Sequence, residues 1–366
     1  MSSQSSFIDR CTTLISDELF GRTYCATAVY KNRYIIAAGG YNASNEMMGS
    51  ATIYDTKTNT HSPLPDIPQD FIPLGKCTGA ISNGYFFVVS KSFASPMCRI
   101  NLESRKAWEL RSNIFTQGPQ AVISNGDNLF CLGQSKSDFQ IYHPQHNELS
   151  AFPQVTIPRK AHASAIIEDK IYVIGGYDSK HLRLLSSVYV FDIKTGSWRV
   201  GPRLPIPLAN AEAVVCRRQI IVSGGIINQN DHIQPNKSMY VLNPRSKIWI
   251  EKKFVISPAC VGNGCVAIGG RQIFSIGGSD ILKGDSIASK YSIHGIDVKH
   301  VIPNWDVIGT HILLRRLIDD DRAVPMIRAR KTRRRSEKVM NDEKIVHKLF
   351  TELHMDIFRE VLLYLV

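Results

Sequence analysis

Residues 161–167 are small and apolar, Glu168-Asp169-Lys170 are polar, and Ile171 to Ile174 are apolar again, with β-branched and aromatic side chains. Two short apolar runs flanking a polar triplet predict a β-hairpin. Gly175-Gly176 follow at once. A glycine pair there predicts the end of the strand, because glycine tolerates positive φ and lets another backbone pass close by.

The pattern returns along the chain. Ile35 to Gly40, Ile220 to Gly225 and Ile273 to Gly278 each read as a strand followed by Gly-Gly. Two weaker copies lie between the first and the central one: Tyr85 to Lys91 has lost both glycines, and Leu129 to Gln134 keeps Gly133 only. The six anchors at 39, 89, 133, 175, 224 and 277 are 50, 44, 42, 49 and 53 residues apart. A period of about 50 residues is that of a kelch repeat, one blade of a β-propeller. Residues 1–305 thus resemble a kelch-repeat propeller. The resemblance implies an all-β fold of six blades, followed by a basic linker at 306–340 and a C-terminal α-helix at 341–366.

On this reading the blades occupy 22–62, 76–110, 118–152, 159–200, 210–251 and 261–305. The fourth copy is the fullest, with Phe191, Asp192 and Trp198 in register. Tyr54-Asp55 mark the first blade, Trp108 the second, Leu149 the third, Leu242-Asn243 with Trp249 the fifth, and Tyr291 with Trp305 the sixth. The spaced aromatics are expected to fill the wedge between neighbouring sheets rather than to form a carbohydrate platform. Proline-rich joints such as 63–68 and 202–207 mark the crossings, where a missing N–H costs no ladder bond. Residues 7–20 precede the first full copy and are expected to give the last blade its outer strand, removing the unpaired edges of an open ring. In the rival arrangement residues 288–301 complete that blade by themselves.

Charge changes the picture mainly beyond the repeats. The net charge is +12, and between Arg328 and Lys338 seven Arg or Lys stand against Glu337 alone. Arg328, Arg330, Lys331, Arg333, Arg334 and Arg335 read either as a nuclear-localisation signal or as a solvated linker. No aromatics interleave with them, so base stacking is not indicated, and nucleic-acid binding through phosphates alone is a third, less favoured reading. In 341–366, Asn341 suits a helix cap, and Ile345, Leu349, Leu353, Ile357, Val361 and Leu365 recur at every fourth residue as an apolar stripe. Within it Leu353, Asp356, Ile357, Phe358, Val361 and Leu362 resemble the opening helix of an F-box, although His354 stands where that motif has proline. The resemblance implies docking onto a cullin adaptor. A plain packing helix fits the same letters.

Eight cysteines include no C-x-x-C pair, and no metal-ligand spacing, Walker loop or G-x-S-x-G occurs. Cys25, Cys77, Cys131 and Cys216 are expected to be buried thiols in strands. Met1 to Ser6 are polar and precede Asp9 and Arg10, without the apolar core of a leader, and 18 apolar residues never run together. The expectations are a cytoplasmic or nuclear location, no membrane, no cofactor and no metal.

Function is therefore sought in the loops. Those at Tyr41 to Ser50, Tyr177 to Ser186, Ile226 to Lys237 and Ser279 to Ser286 are long. In kelch propellers they share a face with the blade crossings, and the resemblance places Arg22, Tyr41, Arg159, Tyr177, His181, Arg183 and Arg203 there. Arg and Tyr are common interface anchors, and arginines favour an acidic or phosphorylated partner segment. The expectation is a protein-recognition module and not an enzyme. The alternatives are a substrate receptor of a cullin-type ubiquitin ligase, and a propeller enzyme such as an oxidase or sugar epimerase. A perturbed carboxylate or histidine in the central channel would favour the last. His162, inside a predicted strand, reads as a packed or surface histidine rather than a base.

Overall fold

The computed structural model describes residues 11–15, 21–42, 44–68, 75–91, 97–111, 118–133, 139–153, 158–229, 232–253, 262–270, 272–278 and 293–297. All regular structure among them is β-strand. The basic linker, the C-terminal helix, Tyr291 and Trp305 lie outside the described residues.

The central hairpin shows how local pattern becomes sheet. Ala163–Ile167 pairs with Lys170–Ile174 across a tight turn, and Val188–Asp192 and Ser197–Val200 extend the antiparallel ladder. The same up-and-down order is built by Ala26–Tyr30, Tyr34–Ala38, Ala51–Asp55 and Thr60–Leu64. Both degenerate copies fold likewise: 77–111 and 121–151 each form a four-stranded sheet. In the last sheet Gly264–Ile268, Gln272–Ile276 and Ile293–Asp297 are completed by Cys11–Ile15, which pairs antiparallel with Ile293–Asp297. The outer strand of that sheet therefore comes from the other end of the described chain.

The fold is an all-β propeller. Its sheets are not all alike: five have four strands, whereas the one at 209–253 has five. The difference corrects the expectation that every Gly-Gly pair ends a strand. Gln219–Gln229 runs straight through Gly224-Gly225, because Ile226 to Gln229 go on to pair with His232–Pro235. A smaller ribbon follows Gly175-Gly176, where Tyr177–Asp178 pairs with Arg183–Leu184.

Apolar side chains on both faces of each sheet hold the ring together. Ile36, Ile53 and Ala28 face Phe86, Val88 and Ile100 of the next sheet. Ile35, Ala37 and Tyr54, one residue out of phase, face Val266, Phe274 and Ile276 of the last. Period-two alternation thus sends neighbouring residues into different interfaces, which is why the second strands read as continuous apolar runs. Further clusters join the sheet at 77–111 to 121–151, that to 163–200, that to 209–253, and that to 264–297, so the cycle closes.

The glycine pairs lie where backbones crowd. Gly175 and Gly176 have φ of 61° and 103°, in the left-handed region. A Cβ on Gly176 would stand 2.7 Å from the Lys160 carbonyl oxygen, at the lead-in to its own sheet, and one on Gly175 would collide with the Leu208 carbonyl at the lead-in to the next. Gly40 and Gly225 repeat the first contact, and Gly277 repeats the second against Arg22. Each pair therefore seats one sheet between two crossing segments.

Candidate functional site

Where described, the loops that follow the second strands lie beside the crossings between sheets: the Ile67 N–H donates to the Gly49 carbonyl at 2.8 Å and the Leu204 N–H to the Ser186 carbonyl at 2.9 Å. Tyr41 and Tyr177 take equivalent places at the base of these loops. The Tyr41 N–H donates to the Thr23 carbonyl at 2.9 Å, and the Tyr177 N–H to the Lys160 carbonyl at 2.8 Å. Both side chains are half-buried. In the degenerate second sheet the same position is Lys91, whose N–H donates to the Lys76 carbonyl at 2.8 Å.

His181 and Arg183 are exposed at a loop tip organised by Asp178. The Asp178 carboxylate is buried and accepts from the Lys180 N–H at 3.0 Å, the His181 N–H at 3.3 Å and His181 Nδ1 at 2.7 Å. The His181 side-chain bond, followed by these amides, holds the Asp178 pKa below the ordinary carboxylate range. Arg183 Nε lies 3.6 Å from the same carboxylate. Between them Leu182 is 76 % exposed with φ of 49°, a left-handed conformation unusual for a branched side chain. Arg203 is exposed in the crossing before the five-stranded sheet.

Arg22 and Arg159 correct the expected site. Both are buried, at 0 % and 1 % exposure, and are therefore not surface anchors. Arg159 Nη1 donates to the carbonyls of Gly175 at 2.9 Å and Ser187 at 3.1 Å, and Nη2 donates to Ser187 Oγ at 3.1 Å. Arg22 makes the matching set with Gly39 at 3.2 Å, Ser50 at 2.9 Å and Ser50 Oγ at 3.2 Å. Desolvation lowers the pKa of both, that of Arg159 to about 10. A guanidinium fork fits these orphan carbonyls beside the glycine pairs, so the two residues brace the sheets.

Sequence reasoning missed a second feature, a cavity of about 160 Å³ on the propeller axis. The first strands of the sheets, or the residues leading into them, all contribute to it, through Cys25, Cys77, Val122, Ser164, Glu212 and Cys265 among others. Lys91 and His162 also line it. His162 is 5 % exposed. Burial first and Arg159 second lower its pKa to about 3, so it is neutral at neutral pH. Its Nε2 lies 3.4 Å from the Gly133 carbonyl, and its Nδ1 has no hydrogen-bond partner. Glu212 is half-buried and lines the cavity, where desolvation raises its pKa against the pull of Lys91. The cavity thiols are weakly acidic: burial raises Cys25 to about 11, and Cys77 and Cys265 to about 12. They are packing groups rather than nucleophiles. Among the described residues no cluster of His, Cys, Asp and Glu is arranged to hold a metal ion.

Perturbed groups do line the channel, as the enzyme alternative required. Among the described residues no hydrogen bond joins His162 to Glu212 in an acid–base pair. The Kelch motif model matches residues 22–68 and 158–205. Kelch-like protein 36 of Mus musculus is 24% identical over 205 residues, covering 50% of this chain and 32% of that protein. A sequence named as an F-box/kelch-repeat protein of Arabidopsis thaliana is 33% identical over 91 residues, covering 24% of this chain and 26% of its own length. Beta-scruin of Limulus polyphemus is 24% identical over 198 residues, covering 50% and 21%. The chain thus spans about a third or less of these relatives. The solved structure of YjhT superposes with a TM-score of 0.60 at 13% identity, covering 75% of this chain and 94% of that one, and so shares the fold.

Proposed function

We propose, on the premise that this chain is a kelch-repeat propeller protein, that it recognises a protein partner through the face carrying the loops after its second strands. Counting the five-stranded sheet as a blade, the propeller has six. The observation that carries the reading is the placement of exposed apolar side chains. Met47, Leu182 and Ile233 are 47 %, 76 % and 53 % exposed, and they project from the corresponding loops of three blades. Lys180 and Arg183 flank Leu182, so at that loop the face joins an apolar anchor to positive charge, whereas exposed Glu46 precedes Met47. Such a surface suits a partner segment with acidic and apolar residues. The test is affinity purification with the wild-type chain, a Met47→Asp/Leu182→Asp/Ile233→Asp variant and a Leu110→Asp variant in an outer strand. Proteins held by the wild type and by Leu110→Asp but lost from the loop variant support the reading. Undiminished capture by the loop variant removes it.

A second reading couples the propeller to a cullin-type ubiquitin ligase. It is supported by the F-box-like letters of residues 353–365 and by the relative named for an F-box. Co-purification of a cullin adaptor that disappears on removing residues 341–366 is the expected result, and absence of any adaptor ends this reading. The location in cytoplasm or nucleus, with residues 328–335 as the import signal, is proposed alongside and is read by imaging with and without those residues.

A further inference from the structure

We infer that the axial cavity is a binding site for a small zwitterion, a free amino acid of about five to nine non-hydrogen atoms. The site opens among the lead-ins of the first strands, level with the glycine pairs, and every sheet of the ring contributes to its wall. Its volume of about 160 Å³ is close to that of a cavity of about 150 Å³ that takes up benzene, a six-carbon ring, which sets the size of the occupant.

The chemistry of the wall sets the class. Lys91 brings one positive charge and Glu212 one negative charge into the same enclosure. Among the described residues neither forms a salt bridge, and Lys91 acts on Glu212 through space within the cavity. His162, nine-tenths buried, adds an unpartnered Nδ1. When Nε2–H donates to the Gly133 carbonyl, Nδ1 is an acceptor. The wall therefore offers two acceptors, the Glu212 carboxylate and His162 Nδ1, for an ammonium, and one ammonium, Lys91, for a carboxylate. Both charged side chains are half-buried, and an occupant carrying both opposite charges compensates them at both ends. A monovalent anion would satisfy Lys91 and repel Glu212, and a simple cation would do the reverse. Desolvation of Glu212 agrees with a carboxylate kept from bulk water.

The test titrates the full chain with L-alanine and L-serine by calorimetry and thermal shift. N-acetyl-L-alanine, which lacks the ammonium, and L-alaninamide, which lacks the carboxylate, serve as controls. Saturable binding of the free amino acids is expected, at least tenfold weaker for each blocked analogue and in Glu212→Gln and Lys91→Met. The comparison among ligands uses the unaltered chain, so it decides even where a variant does not fold. Lack of saturable binding by either amino acid, equal binding of the blocked analogues, or full binding by a folded variant overturns the proposal. The site does not depend on the loop face: the Met47, Leu182 and Ile233 variant keeps the cavity wall, so partner capture and amino-acid binding fail or survive separately.

Discussion

Trp198 donates its indole N–H to the carbonyl of Pro153 at 2.8 Å, across 45 residues of sequence. Trp108 does the same to Pro65 at 2.7 Å, and Trp249 to Pro202 at 2.9 Å. Each ring packs towards the preceding sheet, and each N–H holds the crossing that leads into its own sheet. One side chain thus fixes both the wedge between sheets and the path of the linker that spans it.

Trp108 is the most buried of the three and gives the cleanest test. Trp108→Phe keeps a ring in the wedge but lacks the donor, and is expected to lower unfolding free energy by about 0.5–1.5 kcal/mol in urea titrations. Trp108→Ala empties the wedge as well and is expected to cost about 3–5 kcal/mol. Equal losses for the two variants would contradict a role for the Pro65 bond.

Arg159→Ala leaves the carbonyls of Gly175 and Ser187 without their donor, a loss of about 1–3 kcal/mol for each orphaned group. Arg159→Lys is expected to recover little, because one ammonium cannot reproduce the fork. Arg22 variants should behave alike. Arg183→Ala, at an exposed tip, should stay within about 0.5 kcal/mol of wild type in the same denaturation series.

Acid titration reads His162, with the raised Glu212 carboxyl of the same cavity acting in the opposite sense. Its pKa falls from an ordinary value of about 6.5 when unfolded to about 3 when folded. Between these values the unfolded state binds the extra proton, so stability is complete above about pH 6.5 and declines as pH falls towards 3. The depressed carboxylates Asp178 and Asp192 have the same sign but act only from about pH 4 downwards. His162→Gln is therefore expected to flatten the pH dependence of Tm between about 6 and 4, leaving the steeper fall below it. An unchanged slope in that window would show that the imidazole titrates normally.

Removing residues 1–16 deletes the outer strand Cys11–Ile15 and bares the edge of Ile293–Asp297. The expected outcome is a lower Tm and faster aggregation on heating, because an unpaired edge templates association between chains. Unchanged thermal unfolding and light scattering would mean that this strand contributes nothing to the ring.

The fold was legible because its signals are local and repeated. Gly-Gly after an apolar run, and an aromatic-acid pair followed six residues later by Trp198, are properties of one sheet: Phe191 faces Trp198 and Leu242 faces Trp249 across paired strands. The degenerate sheets hide the glycines but keep the register, with Ile100 opposite Trp108 and Tyr142 opposite Leu149. Arg22 and Arg159 were misread as surface anchors although a clue was present. Each stands 28 residues before a serine that accepts from it, and a residue repeated with its partner between copies belongs to the scaffold. The cavity had no such clue. Lys91, His162 and Glu212 belong to three different sheets, and only ring closure brings them to one axis.

The pairing of Cys11–Ile15 with Ile293–Asp297 also sets an order on synthesis. Intermediate sheets can assemble as they leave the ribosome, but Cys11–Ile15 must wait for Ile293–Asp297. Until both are out, two sticky borders stay unsatisfied, so the chain is most open to wrong association while the sheets between them are being made.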